Sequence, residues 1–185
     1  MSGAPFVCQP SLGEMARRSL AKCPKSLEKY GFCGLLAVIY AAKLAMPANL
    51  MQLQAFFAEV KGICSIDTRK WRNVLPKKQG GISFAHTLCL LRHYNSCGFE
   101  EVAASKGDSK TNLLAWLKKK TTPKSSYIVH VGKHAFFVNV GKSKSQWKIY
   151  DQAGVRSKKD MDILKKKGGY GRKMIKRVIK IETFL

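Results

Sequence analysis

The apolar period of this chain changes once, around Pro123, and that change limits the fold more than any other feature. Before it, apolar residues recur at helical spacing, as Leu50, Leu53, Phe56, Phe57 and Val60 do in "LMQLQAFFAEV". After it, "SYIVHV", "HAFFVNV" and "WKIYDQ" alternate or run apolar, with the turn segments "GK" and "GKSKSQ" between them. That is the pattern of an antiparallel meander, and "KMIKRVIKIETFL" alternates like a further, closing strand. Helices first and antiparallel strands second predict an α+β fold. One domain over residues 1–185 is expected, with a lead-in at 1–30, a mainly helical part at 31–120 and a mainly sheet part at 125–185.

Local signals place the elements more closely. A helix is expected from about Phe32 to about Ala45, stopped by Pro47, and Asn49 is suited to cap the next one. Asp67 would begin a short helix in "DTRKWRNVL", Gly80-Gly81 breaks the chain, and Ser83 caps "FAHTLCLLRHYN". "FEEVAAS" reads as a strand. Asp108 or Ser109 would open "KTNLLAWLKKK", whose closing lysines suit the negative pole of a helix, and "SKKDMDILKKK" reads as another helix.

The charge is lopsided. Against 11 Asp+Glu stand 34 Lys+Arg, a net +23 spread along the chain and heavier in its second half. Such a surface attracts polyanions, so DNA or RNA is an expected partner through the basic surface. With 45% apolar residues the chain is nonetheless globular in character, not a disordered basic tail. Its six cysteines form no C-x-x-C pair, which argues against zinc and thioredoxin chemistry. No apolar run approaches the roughly 20 residues that span a bilayer, and "MSGAPFVCQPSLGEMARR" lacks a secretory pattern. The expectation is a soluble, intracellular protein with free thiols, in cytoplasm, nucleus or a virion, without a membrane partner. Oligomeric state is left open.

One cysteine has a distinctive setting. In "EKYGFCGLLAVIYAAKLAMP", Cys33 falls at the mouth of the expected apolar helix, with Gly31 and Gly34 beside it leaving room for a peptide backbone. A thiol attacks as its thiolate, and helix N-terminal amides stabilise both that anion and an oxyanion formed on a substrate carbonyl. A hundred residues on, His134 opens one strand of the meander and Asp151 closes the next. Hairpin-linked strands lie side by side, which brings the start of one and the end of the other to the same end of the sheet. Nucleophile, general base and orienting carboxylate therefore come in the order Cys33, His134, Asp151. The His130–His134 spacing would suit zinc on a helix, but here it lies across a strand and turn without a neighbouring glutamate, so it reads as non-metal. His130 is a competitor for the base, while His86 and His93 read as packing or surface groups and Cys64, Cys89 and Cys97 as core residues.

Cys-Gly at the start of an apolar helix, His-Ala-Phe-Phe-Val on a strand and Trp-Lys-Ile-Tyr-Asp after a turn together resemble the papain-like cysteine peptidases. The likeness is to compact members: picornaviral leader proteases and the bacterial peptidases that cleave double-glycine leaders. It covers about Glu28 to Gly154 and is one of order, spacing and layout. It implies a helical half carrying the cysteine packed on a sheet half carrying histidine and acid, and a thiol endopeptidase acting on protein or peptide without a cofactor. With the charge and the small size it also implies a viral processing role, exercised while bound to nucleic acid.

One departure bears on mechanism. The family places a Gln or Asn five to seven residues before the nucleophile to complete the oxyanion hole, whereas "SLEK", Ser26 to Lys29, holds no side-chain amide. Glu28 is a poor donor unless protonated. Lys29, Ser26, a backbone amide or a residue such as Gln79 would have to serve, and Gln152, next to Asp151, is suited to point into the cleft. Transglutaminases and arylamine acetyltransferases share the ordered triad, so another cysteine-dependent acyl transferase is the alternative. A basic nucleic-acid-binding or virion protein without enzymatic activity is a third.

Overall fold

In the computed structural model of the chain, residues 22–65, 82–94, 98–102, 111–132, 134–166 and 169–182 are described. The expected helix begun by Asp67, the Gly80-Gly81 break, and Gln79, Cys8 and Cys97 lie outside them, as does most of the lead-in. The architecture is α+β. Helices α1 (Cys33–Ala41), α2 (Leu50–Ile63) and α3 (Phe84–Tyr94) precede strand β1 (Gly98–Val102). Then follow α4 (Leu113–Lys119), β2 (Ser126–Val131), β3 (His134–Val140), β4 (Trp147–Asp151), β5 (Gly154–Ser157), the short α5 (Met161–Lys165) and β6 (Ile175–Glu182). The strands form one antiparallel sheet in the order β1-β6-β2-β3-β4-β5.

The meander lies where the period-two segments lie, and β5 extends it by a strand from "GVRS", which has no apolar alternation to announce it. Val131 pairs with His134 across a two-residue turn, and Gly132 takes φ +62°, the left-handed conformation that tight hairpins ask of their first turn residue. The closing strand β6 is inserted between β1 and β2 rather than added at an edge.

Alternation along the strands gives the sheet two apolar faces. Ile128, Ala135, Phe137, Tyr150, Ile179 and Ile181 pack with α1, α2 and α3. Tyr127, Val129, Phe136, Val138, Ile149 and Val178 pack on the other side with Leu113, Trp116 and Leu117 of α4 and Leu164 of α5. The expected pairing of a helical half with a sheet half thus becomes a sheet covered on both faces. The reason is visible in β2 and β3: with both alternating sets apolar, neither face can be left to water.

The helix ends follow local chemistry. Asn49 accepts the Gln52 N–H at 3.0 Å, and Ser83 accepts the His86 N–H at 3.1 Å, as their positions predict. Helix α1, however, stops at Ala41, well before Pro47: Lys43 turns left-handed at φ +54° and the Leu44 N–H reaches back to the Ile39 carbonyl. Helix α4 starts at Leu113 instead of Asp108 or Ser109, because Asn112 supplies the cap by accepting the Ala115 N–H at 2.9 Å. Among the described residues no helix is long and apolar enough to cross a membrane.

Candidate active site

Cys33 is the first residue of α1, a helix buried on every side: Leu35, Leu36, Val38 and Ile39 are all at or below 1% exposure. Burying an apolar side chain contributes roughly 1.5–3 kcal/mol, so four of them fix this helix firmly and with it the position of the thiol. Phe32 precedes it without a side-chain cap, which leaves the N-terminal amides to the cysteine. Backbone N–H groups of Cys33, Gly34 and Ala135 all act on the sulfur in the direction that favours thiolate. Ala135 follows His134 directly, so the sulfur rests against the start of β3. Burial is the larger influence and holds the thiol above its ordinary pKa.

His134 stands at the entrance to β3, half-buried, with Phe136 stacked beside it on the same strand face. Its Nε2 lies 2.9 Å from the hydroxyl of Tyr170, whose ring centroid is 4.4 Å away. Burial lowers its pKa, Lys173 lowers it further, and Asp151 works the other way. Lys173 also sits over the Tyr170 ring at 4.9 Å.

Asp151 ends β4 and is 9% exposed. The register pairs Phe137 with Tyr150, so Asp151 comes beside Phe136, on the strand face that His134 shares. Its Oδ2 is 3.7 Å from Arg156 Nε, and the Ala153 N–H also holds the carboxylate, while Oδ1 is buried without a hydrogen-bond partner. Desolvation raises its pKa; Arg156 and His134 oppose that rise. The charge of Asp151 is felt at Cys33, His134 and Tyr170. The carboxylate is therefore in the site, but the hydrogen bond expected between it and the imidazole goes to Tyr170 instead.

Gln152 has a different task from the expected one. Its Nε2 donates to the Tyr30 carbonyl and, at 3.5 Å, to that of Glu28. The amide is spent tying the β4–β5 turn to the loop that leads into Cys33. Ser26, Glu28 and Lys29 have exposed side chains, with Lys29 Nζ lying 5.2 Å over the Tyr30 ring. Glu28 thus enters the site through its backbone oxygen. Gly34 leaves no room for substrate: a Cβ there would lie 2.8 Å from Ile82 Cγ1, so the glycine serves close packing.

His130, the competitor, keeps other company. Strand alternation puts it opposite Ala135 on the face that α1 covers, and His134 on the other face; His130 lies edge-on to Phe84 at 5.2 Å. Burial, with help from Arg177, pushes its pKa down to about 4. Cys23 belongs to the core beside α1, and its thiol is raised to about 11 by burial. Cys64 and Cys89 are neighbours between α2 and α3. Among the described residues no group of His, Cys, Asp and Glu could hold a metal ion.

Sequence reasoning missed Tyr170, Lys173 and Arg156. Tyr170 belongs to "GGYGR", and an aromatic set between glycines is a signal of backbone forced into close approach. A Cβ on Gly171 would meet the Leu164 carbonyl oxygen at 2.6 Å, so only glycine lets this turn bring Tyr170 onto His134. No known family model matches the chain, and no curated protein matches it in sequence.

Proposed function

We propose that this protein is a papain-like thiol endopeptidase, with Cys33 as nucleophile, His134 as general base and acid, and Asp151 as the acid of the group. One observation carries the reading: the first residue of a buried helix has its sulfur against the amide of Ala135, the residue that follows the candidate base in β3, within the field of Asp151. A structural cysteine requires none of that surrounding.

Thiol and imidazole are pushed in opposite directions, the thiol up and the imidazole down, so the resting pair is uncharged at neutral pH. Attack then couples two events. Sulfur bonds to the substrate carbonyl carbon as its proton passes to the His134 ring, and the imidazolium that forms is stabilised by Asp151. The same proton goes to the leaving amine as the peptide C–N bond breaks. Water, deprotonated by His134, then attacks the thioester and releases Cys33. Tyr170 is a positioning residue, holding the ring through Nε2. With the Gln152 amide already engaged, the oxyanion falls to backbone N–H groups at the start of α1.

The test is labelling by a thiol-directed peptide probe, followed by peptide mapping. Cys33 is expected to react ahead of the other cysteines, with labelling falling on His134→Ala and cleavage of a denatured protein substrate lost in Cys33→Ser. Uniform reactivity of all six cysteines would remove the basis of the proposal.

A further inference from the structure

On the sheet face away from Cys33, a cavity of about 420 Å³ opens between α4, α5 and the turn that carries Tyr170. Four of its lining residues are cations, Lys118, Lys119, Lys165 and Arg172, all with exposed side chains, and among the described residues no acid lines it. The three walls come from separate stretches of chain and are tied together. Leu113 N–H donates to the Lys173 carbonyl, Ile175 N–H to that of Thr111, and Asn112 bridges Met174. Gly171 packs directly on Leu164 and Leu114, which brings the α5 and turn cations to α4. Lysines in a last helical turn favour the helix pole, but that accounts for each wall singly and not for Arg172 or for the convergence. Holding four like charges around one concavity is unfavourable without a counterion, and a chain of phosphates supplies several at a spacing such a cluster can follow.

We infer that this basic cavity is a nucleic-acid site, gripping consecutive backbone phosphates of a DNA or RNA strand without reading bases. Among the described residues the opening is lined by cations and aliphatic stems without an aromatic platform, which favours electrostatic binding over stacking. Four phosphate contacts give a salt slope of about −3.6 on duplex DNA and about −2.8 on a single strand. Arg172 lies two residues past Tyr170, but the cavity is on the sheet face away from Cys33, and the inference does not depend on the proposed peptidase chemistry.

The experiment is fluorescence anisotropy with a labelled 20-nucleotide strand and its duplex, titrated across salt concentrations. A variant carrying Lys118→Gln, Lys119→Gln, Lys165→Gln and Arg172→Gln is compared with one carrying Lys25→Gln, Lys142→Gln, Lys144→Gln and Lys148→Gln, which removes equal charge elsewhere. The first should bind at least about tenfold more weakly at low salt and lose about 3 units of slope, the second far less. If the quadruple cavity variant fails to melt cooperatively, the Lys118→Gln/Lys119→Gln pair should lose about half the slope. Equal loss in the two quadruple variants, no binding by the wild type, or binding only to vesicles of anionic lipid would each overturn the assignment. Running the series in Cys33→Ser separates it from the peptidase reading.

Discussion

Gln152 offers the sharpest check on how the candidate site is held together. Its amide donates one part-buried hydrogen bond to the Tyr30 carbonyl and one long contact, 3.5 Å, to that of Glu28. A net hydrogen bond contributes about 0.5–1.5 kcal/mol, and the long contact adds little, so Gln152→Ala should cost about 1–1.5 kcal/mol. Gln152→Glu keeps the shape but aims a carboxylate oxygen at two carbonyls, beside the buried Asp151. That repulsion should bring the cost to about 2–3 kcal/mol at pH 7. Melting temperature should fall by about 2–4 °C per kcal/mol for a chain of this length. The site disfavours ionisation, so the introduced Glu has a folded pKa above its unfolded one. Protonation restores a donor, and the variant should recover relative to wild type as pH falls towards 4–5. Thermal melts of the three proteins at pH 7 and pH 5, scored with alkylation rates of Cys33, test this. If Gln152→Glu is no less stable than Gln152→Ala at pH 7, the amide is not the tether described here.

Three further outcomes are expected. Because burial raises the Cys33 thiol and lowers His134, iodoacetamide alkylation of Cys33 should climb steadily from about pH 6 to pH 9; a plateau on the acid side would instead indicate a thiolate–imidazolium pair. His130, held down at about 4, takes up a proton in the unfolded chain that the native state refuses, so stability should fall as pH drops from about 6.5 to about 4. In His130→Phe that slope should flatten by up to about 3 kcal/mol, read from urea midpoints, and an unchanged slope would contradict the assignment. Gly34→Ala drives a methyl group to 2.8 Å from Ile82 Cγ1 and should cost about 1–3 kcal/mol, with part of that cost removed in the Gly34→Ala/Ile82→Ala double variant.

What could be read beforehand was local. Asn49 and Ser83 announce their helices because a cap needs only a side-chain oxygen three residues from an amide. The alternation of residues 126–151 determines strand faces and register, and so puts His134 and Asp151 on one face of the sheet. Long-range choices were not legible. Nothing in "GVRS" says that it will pair with β4, and nothing in "KMIKRVIKIE" says that it will enter the sheet between β1 and β2. The imidazole's partner was missed for the same reason: Asp151 was legible through the hairpin, whereas Tyr170 arrives through the packing of Gly171 on α5. Gly34 shows the reverse error, since a glycine beside a nucleophile suggests open space, and the space is taken by Ile82 from another segment.

The place of β6 has a consequence for synthesis. Residues 175–182 fill the slot between β1 and β2, so until they have been made and docked both of those edges stand open. The proposed nucleophile and base, on α1 and β3, both precede β6 in the chain. The chain therefore carries the proposed reactive groups before it has a continuous sheet to support them, and it depends on β6 to cover those edges against aggregation.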